Sequence, residues 1–288
     1  MPLDIKEALG YEGETVVVTG AASGMGAETA RLLAELGAEV YGLDIREVTI
    51  ANVKYIPVNL RNKESIDDAI SKLPDKIHKV FAVAGVAGIK YRDQTFDPVD
   101  VVMINFVGHR YLVDNIIPRI PSGNAIAMVA SAAGLGWWKN RENVFTLVNI
   151  SDFEQARKWL ESQRNNPKVL MGYEYAFSKE CIIAYAKVKA FQLAPKRIRV
   201  NVVNPGSTET PMLPDFMTGP LAKLVIETQG AIPGRYAKPI EIAWVLIFLN
   251  SKMASYVSGV DIDVDYGYTA GMLTGQAPVT FVPIPGVD

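Results

Sequence analysis

Residues 15–26 read TVVVTGAASGMG in one-letter code. The first five residues predict a short strand that is buried on both faces, and the amphipathic run at residues 27–36 predicts a helix. Between them, Gly20, Gly24 and Gly26 allow the backbone to turn tightly and to approach a pyrophosphate, whose charge then lies at the helix N-terminus. The stretch therefore predicts the first strand, turn and helix of a dinucleotide-binding α/β fold.

Strand and helix patterns continue to alternate along the chain. Apolar runs predict strands at residues 38–43, 79–84, 125–130, 199–203 and 260–264, and amphipathic runs predict helices at 63–73, 99–117, 173–193 and 239–249. Continuous apolar strands separated by helices are typical of a parallel sheet covered on both faces. We therefore predict one doubly wound, Rossmann-type α/β domain over residues 1–288, with a mostly seven-stranded parallel sheet.

Composition excludes several classes of protein. The chain has 29 Lys+Arg against 31 Asp+Glu, a net charge of -2, so it lacks the basic surface that nucleic-acid binding requires. The longest apolar run, residues 242–249, is too short to cross a bilayer, and the N-terminus lacks a signal-peptide pattern. Its one cysteine, Cys181, forms no internal disulfide. We expect a cytoplasmic protein without a nucleic-acid or membrane partner.

The second predicted strand ends at Asp44, eighteen residues beyond Gly26. An acid at this place accepts a hydrogen bond from a ribose 2′-hydroxyl and repels a 2′-phosphate, which favours NAD over NADP. Arg46 favours NADP instead, because an arginine in this loop accommodates a 2′-phosphate. We predict NAD as the cofactor.

Two Tyr/Lys pairs stand four residues apart on the long predicted helix, Tyr175 with Lys179 and Tyr185 with Lys189. Ligands of a doubly wound fold bind at the carboxyl ends of the strands, where each helix begins. Tyr175 lies near the helix start, whereas Tyr185 lies about 15 Å further along the axis. Because a nearby ammonium and a cationic nicotinamide both favour the phenolate, Tyr175 is the predicted acid/base and Tyr185 is predicted to be structural.

Two further polar residues interrupt apolar segments. Ser131 follows a predicted strand, where its hydroxyl would face the same crevice and bind a substrate oxygen, although such a serine is usually a cap or a turn residue. Asn105 interrupts an apolar helix, and its buried amide must find partners. A helix kink and a proton-relay anchor are both open for Asn105.

Taken together, these motifs resemble the compact, single-domain branch of the short-chain dehydrogenase/reductase family. The similarity covers roughly residues 14–267. The residues that carry it occur in the family's order and spacing, and they are Thr19, Gly20, Gly24, Gly26, Ala84, Gly85, Asn105, Ser131, Tyr175, Lys179, Asn204, Pro205, Gly206 and Thr208.

The resemblance implies a role for each of these positions. Tyr175 would be the general acid/base, Ser131 would orient the substrate oxygen, and Lys179 would lower the tyrosine pKa and hold the nicotinamide ribose. Asn105 would anchor a water relay. The implied cofactor-binding set is Gly20, Ser23, Gly24, Met25, Gly26, Asp44, Ile45, Asn59, Leu60, Ala84, Gly85, Tyr175, Lys179, Pro205, Gly206 and Thr208. No metal site is expected, since His78 and His109 are the only histidines.

The chain departs from the family's usual pattern at three positions. Val83 replaces an Asn that normally helps to hold the sheet, Asn59 replaces an Asp, and Tyr266 replaces a Gly. Ser131 and Tyr175 are 44 positions apart, which is much further than in common members of the family. This spacing indicates an inserted helical segment at about 134–172. In this insertion the chain is similar to the bacterial 3α-hydroxysteroid dehydrogenase/carbonyl reductase subgroup.

The insertion is rich in aromatic residues, and residues 151–154 predict a capping-box start to a helix whose apolar face includes Phe153 and Trp159. Packing on the sheet domain, a lid and a subunit contact are all open for it. The apolar segment at about 208–234 is the preferred substrate lid. A C-terminal tail at about 268–288 is predicted to be extended and to lie on a subunit interface.

Two apolar flaps without a basic cluster predict an uncharged, hydrophobic substrate. The predicted activity is NAD-dependent interconversion of a hydrophobic secondary alcohol and its ketone, of cyclic, aromatic or steroid-like shape. The predicted assembly is a homodimer or homotetramer. The alternative is a regulator that senses the dinucleotide and has lost catalytic activity. The chain retains all four predicted catalytic residues, which argues against this alternative: Asn105, Ser131, Tyr175 and Lys179.

Overall fold

A computed structural model describes residues 4–88, 90–91, 94–217 and 220–277. Within these residues, seven strands form one parallel sheet in the order β3-β2-β1-β4-β5-β6-β7. The strands are β1 (Thr15–Thr19), β2 (Glu39–Asp44), β3 (Val53–Pro57), β4 (Lys79–Ala82), β5 (Ala125–Val129), β6 (Arg199–Pro205) and β7 (Asp261–Val264). A separate two-stranded pair joins Lys90–Tyr91 to Gln94–Thr95. The predicted doubly wound fold is confirmed.

Helices cover both faces of the sheet. The helices are α1 (Ile5–Leu9), α2 (Gly24–Glu35), α3 (Lys63–Ser71), α4 (Pro98–Val102), α5 (Gly108–Ile116), α6 (Arg141–Asn149), α7 (Phe153–Ser162), α8 (Glu174–Leu193), α9 (Leu213–Phe216), α10 (Pro220–Ala231), α11 (Pro239–Asn250) and α12 (Tyr268–Leu273). Strands β1, β4 and β5 are buried along their whole length, because apolar side chains on one face pack under α2 and α11 and those on the other pack under α3, α5 and α8.

Strand order reverses beside β1, and this reversal positions the site. Strand β1 lies between β2 and β4, so the connection after β1 runs to one side of the sheet and the connection after β4 runs to the other. The turns that follow these two strands separate and leave a crevice at the carboxyl edge.

The structure differs from the sequence predictions at one strand and within one helix. Strand β3 is not among the predicted strands, because it lies at an edge of the sheet, only Ile56 of its five residues is buried, and no continuous apolar run marks it. The helix predicted at 99–117 is divided into α4, a π-helical turn at Met103–Val107 and α5. Apolar periodicity does not distinguish a π-helical turn from an α-helical one over so few residues.

The insertion forms α6 and α7, which pack on the main domain. Phe153 and Leu160 are buried, the ring of Phe153 contacts Tyr111 edge-on at 5.6 Å, and Trp159 lies 6.2 Å from Phe177. Helix α7 is capped by Asp152, whose carboxylate accepts from the Gln155 N–H at 2.7 Å, rather than by the predicted Ser151. The insertion therefore extends the core over α5 and α8.

The predicted extended tail is wrong over its first residues, where Tyr268–Leu273 forms α12. Gly267 adopts a left-handed conformation, and the Asp265 carboxylate accepts from the Thr269 N–H at 2.7 Å, which starts the helix. Residues 278–288 of the predicted tail, with Pro278, Pro283 and Pro285, lie outside the described residues, as do residues 218–219 of the predicted lid. No helix in the described ranges is both long and apolar enough to cross a membrane.

Candidate active site

The glycine-rich turn joins the end of β1 to the start of α2. Gly20 and Gly24 have φ angles of 72° and 58°, which favour glycine, and a Cβ on Gly26 would lie 2.2 Å from the Gly20 carbonyl oxygen. Ser23 precedes the first turn of α2, but its side chain makes no capping bond, and the turn carries no acidic residue. The N-terminal N–H groups of α2 are therefore available to an anion.

Asp44 ends β2 beside this turn. Its carboxylate accepts from the Ala22 N–H at 3.0 Å and from the Arg46 N–H at 2.9 Å, so backbone donors hold it in place. The Arg46 guanidinium donates to the Ser23 hydroxyl at 2.6 Å. The acid is thus fixed at the crevice, and the nearby arginine is directed toward the glycine-rich turn.

One cleft of about 600 Å³ runs along the carboxyl edge of the sheet. It is lined by every predicted cofactor-binding and catalytic residue except Asn105, which lies behind it. Its other lining residues are mostly apolar, and they include Val86, Phe96, Ile104, Met212, Leu213, Phe216 and Ile226. Residues from opposite ends of the chain therefore meet in a single cleft.

Tyr175, Ser131 and Lys179 meet within this cleft. Burial raises the pKa of Tyr175 to about 12, and the Ser131 hydroxyl is close enough to lower that pKa in part. The Lys179 ammonium lies 5.5 Å from the centroid of the Tyr175 ring and donates to the Val129 carbonyl at 3.2 Å. Burial lowers the pKa of Lys179 to about 8. At neutral pH the phenol is protonated and the amine is mostly charged.

The second Tyr/Lys pair lies elsewhere, as the helix geometry predicts. Tyr185 is buried and donates to the Asp114 carboxylate at 2.8 Å, and Lys189 pairs with the same carboxylate at 2.7 Å. Neither Tyr185 nor Lys189 lines the cleft. This pair ties α8 to α5.

Asn105 occupies the π-helical turn and holds the segment after β4. Its Oδ1 accepts from the Val86 N–H at 2.8 Å, while its Nδ2 donates to the Val86 carbonyl at 3.0 Å and to the Ser178 hydroxyl at 3.2 Å. The side-chain amide thus links the turn after β4 to α8, one residue before Lys179. The helix is locally widened at Asn105, and the proton relay remains a prediction.

A buried chain of hydrogen bonds holds the backbone at Val83. The Thr19 hydroxyl oxygen accepts from the Val83 and Ala84 N–H groups at 2.9 and 3.1 Å. His109 bridges Thr19 and the Asn105 carbonyl through its two ring nitrogens, at 2.9 and 3.1 Å. Burial lowers the pKa of His109 to about 4, so the ring is neutral. Thr19 and His109 therefore hold the backbone at Val83 and Ala84, a role that the sequence alone does not reveal.

Several cleft residues had no signal in the sequence. Phe96 and Ile104 line the cleft from segments that carry no functional motif, whereas Ile226 and Gln229 belong to the predicted lid but are not singled out within it. Phe216, which belongs to the predicted lid, contacts the Tyr175 ring edge-on with centroids 5.2 Å apart. The cleft wall next to the predicted acid/base is therefore aromatic and apolar.

Glu180 follows Lys179 and joins α8 to the insertion. Its carboxylate accepts from Asn140 Nδ2 at 2.8 Å and from the Tyr173 hydroxyl at 2.9 Å. Burial raises the pKa of Glu180 to about 7. A carboxyl whose pKa is higher in the folded protein stabilises the fold at low pH and loses that contribution as the pH rises through 7.

We expect Glu180→Gln to remove this pH dependence. Wild type should lose about 2 kcal/mol in free energy of unfolding between pH 5 and pH 8 through ionisation of the buried carboxyl, and the variant should not. The difference in stability, variant minus wild type, should therefore rise by about 2 kcal/mol over this pH range. Chemical denaturation at both pH values measures the change. Glu47→Gln, which alters an exposed carboxylate, should show no such gain, and an equal response of the two variants would contradict the assignment.

Family models and known proteins are similar to this chain over most of its length. A family model described as short chain dehydrogenase matches residues 14–142, and one described as Enoyl-(Acyl carrier protein) reductase matches residues 160–269. Coniferyl-alcohol dehydrogenase of Pseudomonas sp. strain HR199 is 33% identical over 256 residues, covering 88% of this chain and 95% of that protein. The 3-alpha-hydroxysteroid dehydrogenase/carbonyl reductase of Comamonas testosteroni is 28% identical, covering 91% and 98%.

The fold itself also has solved counterparts. The crystal structure of the 3-alpha-hydroxysteroid dehydrogenase from Pseudomonas sp. B-0831, complexed with NADH, superposes with a TM-score of 0.72 at 24% identity, covering 92% of this chain and all of that one. The similarity to coniferyl-alcohol dehydrogenase extends over most of both chains. The protein is thus an oxidoreductase that belongs to the short-chain dehydrogenase/reductase family.

Proposed function

We propose that the protein is an NAD-dependent oxidoreductase that interconverts a hydrophobic secondary alcohol and its ketone, with Tyr175 as general acid/base. One observation carries the proposal: Tyr175, Ser131 and Lys179 share a cleft with the glycine-rich turn, and the remaining wall is mostly apolar. By their names, two relatives act on coniferyl alcohol and on a 3-alpha-hydroxysteroid, and the second of these is a secondary alcohol. A mostly apolar cleft suits a ring-containing alcohol of this kind.

The residues present fit a nicotinamide dinucleotide. Uncapped N–H groups at the start of α2 suit a pyrophosphate, and the fixed Asp44 carboxylate suits a ribose 2′-hydroxyl. Pro205 at the end of β6, and Gly206 and Thr208 after it, line the same cleft as Tyr175. When bound, the nicotinamide supplies or accepts a hydride.

The chain's own groups hold the substrate and move the proton. The Ser131 hydroxyl orients the substrate oxygen, and the Tyr175 phenol, protonated at neutral pH, donates its proton to a carbonyl oxygen during reduction. In the oxidation direction the phenol must be ionised, and the adjacent Lys179 ammonium favours that form. Phe216 and its apolar neighbours exclude water from the reacting oxygen.

A substrate and cofactor comparison tests the proposal. The protein should oxidise members of a panel of cyclic, aryl and steroid secondary alcohols in the presence of NAD, monitored by the absorbance of the reduced nicotinamide. The panel should also contain a primary allylic alcohol of the coniferyl type, so that primary and secondary alcohols are compared as substrates. Binding of NADH without turnover of any member would favour the dinucleotide-sensing regulator.

The NAD preference is tested separately by binding. Because Asp44 is fixed at the expected ribose position, a 2′-phosphate would lie against a like charge, and NADH should bind about a hundredfold more tightly than NADPH. Asp44→Asn, which removes the charge, should narrow the difference. Tighter binding of NADPH by wild type would show that Arg46 decides the preference.

We also propose that the protein is a homo-oligomer. The insertion packs on α5 and α8, whereas α11 exposes Trp244 and Phe248, and β7 is a strand at the edge of the described sheet. A second copy related by a two-fold axis would cover both features with the same surface. Light scattering during gel filtration measures the mass, and a monomer would contradict the proposal.

A further inference from the structure

Gln229 links α10 to the loop that follows β6. The side chain is 7% exposed and lines the cleft. Its Oε1 accepts two hydrogen bonds from Ser207, one from the backbone N–H at 2.8 Å and one from the hydroxyl at 2.5 Å. Because a backbone N–H can only donate, this bond fixes the amide with its oxygen toward Ser207. Among the described residues, no other acceptor bonds the Ser207 N–H.

The loop at 205–208 is held from three directions. The Gly206 N–H donates to the Val264 carbonyl at 3.0 Å, which ties the loop to β7. The Ser207 carbonyl accepts from the Ala237 N–H at 3.0 Å, which ties it to the segment before α11. Gln229 supplies the third connection, and it is the one formed by a side chain from the helix of the predicted lid.

We propose that Gln229 is a positioning residue whose amide oxygen holds the loop at 205–208 ready for the nicotinamide end of the cofactor. This inference rests on the proposed function. A loop that is already ordered binds its ligand without the entropy loss of ordering on binding. Since the same side chain belongs to α10, displacement of α10 would also release Ser207, and the hold on the nicotinamide would weaken.

Binding of NADH and of ADP-ribose tests the proposal by titration calorimetry. ADP-ribose carries the adenosine, pyrophosphate and second ribose but lacks the nicotinamide. Gln229→Leu, of similar size but without an acceptor, should raise the Kd for NADH about tenfold and leave the Kd for ADP-ribose unchanged. Gln229→Glu keeps an oxygen acceptor for both Ser207 donors, so its Kd for NADH should stay within about threefold of wild type.

A milder variant covers the case in which Gln229→Leu fails to fold. Ser207→Ala removes the hydroxyl donor and keeps the backbone bond, and it should raise the Kd for NADH about threefold with ADP-ribose unaffected. Thermal melting of each variant reports folding independently of binding.

Four results with the variants would overturn the inference. These are unchanged NADH binding by Gln229→Leu, unchanged NADH binding by Ser207→Ala, equal weakening of both ligands by Gln229→Leu, and binding by Gln229→Glu as weak as that of the leucine variant. Equal affinity of wild type for NADH and ADP-ribose would also overturn it, because the loop would then contribute no hold on the nicotinamide. Failure of wild type to bind either ligand would instead contradict the proposed function.

Discussion

Tyr175→Phe is expected to lower kcat by about a thousandfold in both directions, while the Kd for NADH stays within about threefold of wild type. The substitution removes the hydroxyl that exchanges a proton with the substrate oxygen. It keeps the ring that contacts Phe216 at 5.2 Å and that lies beside Lys179. Steady-state kinetics and NADH titration measure the two effects separately.

The second Tyr/Lys pair supplies a matched control. Tyr185→Phe removes a buried hydroxyl that donates to Asp114, so it should lower the free energy of unfolding by about 1–3 kcal/mol and leave kcat unchanged. A large loss of kcat with Tyr185→Phe and none with Tyr175→Phe would exchange the two assignments.

Gly134→Ala is expected to lower kcat by about a hundredfold, although Gly134 carries no functional group. A Cβ at this position would lie 2.7 Å from the carbonyl carbon of Lys179 and 2.9 Å from the Glu180 nitrogen. Because both atoms belong to the backbone of α8, the turn at Ala132–Gly134 must move, and Ser131 would move with it away from Tyr175. Overpacking of this kind also costs about 1–3 kcal/mol of stability.

A glycine two residues further on tests the steric cause. At Gly136 a Cβ would approach only the Glu180 carboxylate, at 4.0 Å, so Gly136→Ala should keep kcat and melting temperature near wild type. Kinetics and thermal unfolding of both variants measure the contrast. If Gly134→Ala kept full activity, close contact between the turn and α8 would not be what holds Ser131 in place.

Much of the fold could be predicted because its signals are local. The strand, the glycine-rich turn and the helix of residues 15–26 follow one another directly, and Asp44 is recognised by its place at the end of a strand. Tyr175 could be separated from Tyr185 by position along one helix. These inferences need only chain order and the rule that ligands bind at the carboxyl edge of a parallel sheet.

The rest depends on partners that are distant in sequence. Gln229 matters because Ser207 lies against it, and the intervening residues do not encode that contact. Thr19 holds the backbone after β4 because its hydroxyl contacts both His109 and the Val83 N–H. The helix at 268–273 starts on Asp265 and Gly267, whereas the prolines that suggested an extended tail lie further on.

The π-helical turn at Met103–Val107 offers a place where the chain can change in length. Such a turn contains one residue more than an α-helical turn would accommodate. Deleting a residue there would close the turn to an α-helical one and leave α4 and α5 on the faces that they already pack, because the wider turn absorbs the extra residue. A deletion within the turn therefore endangers the placement of Asn105 against Val86 and leaves the packing of α5 in place.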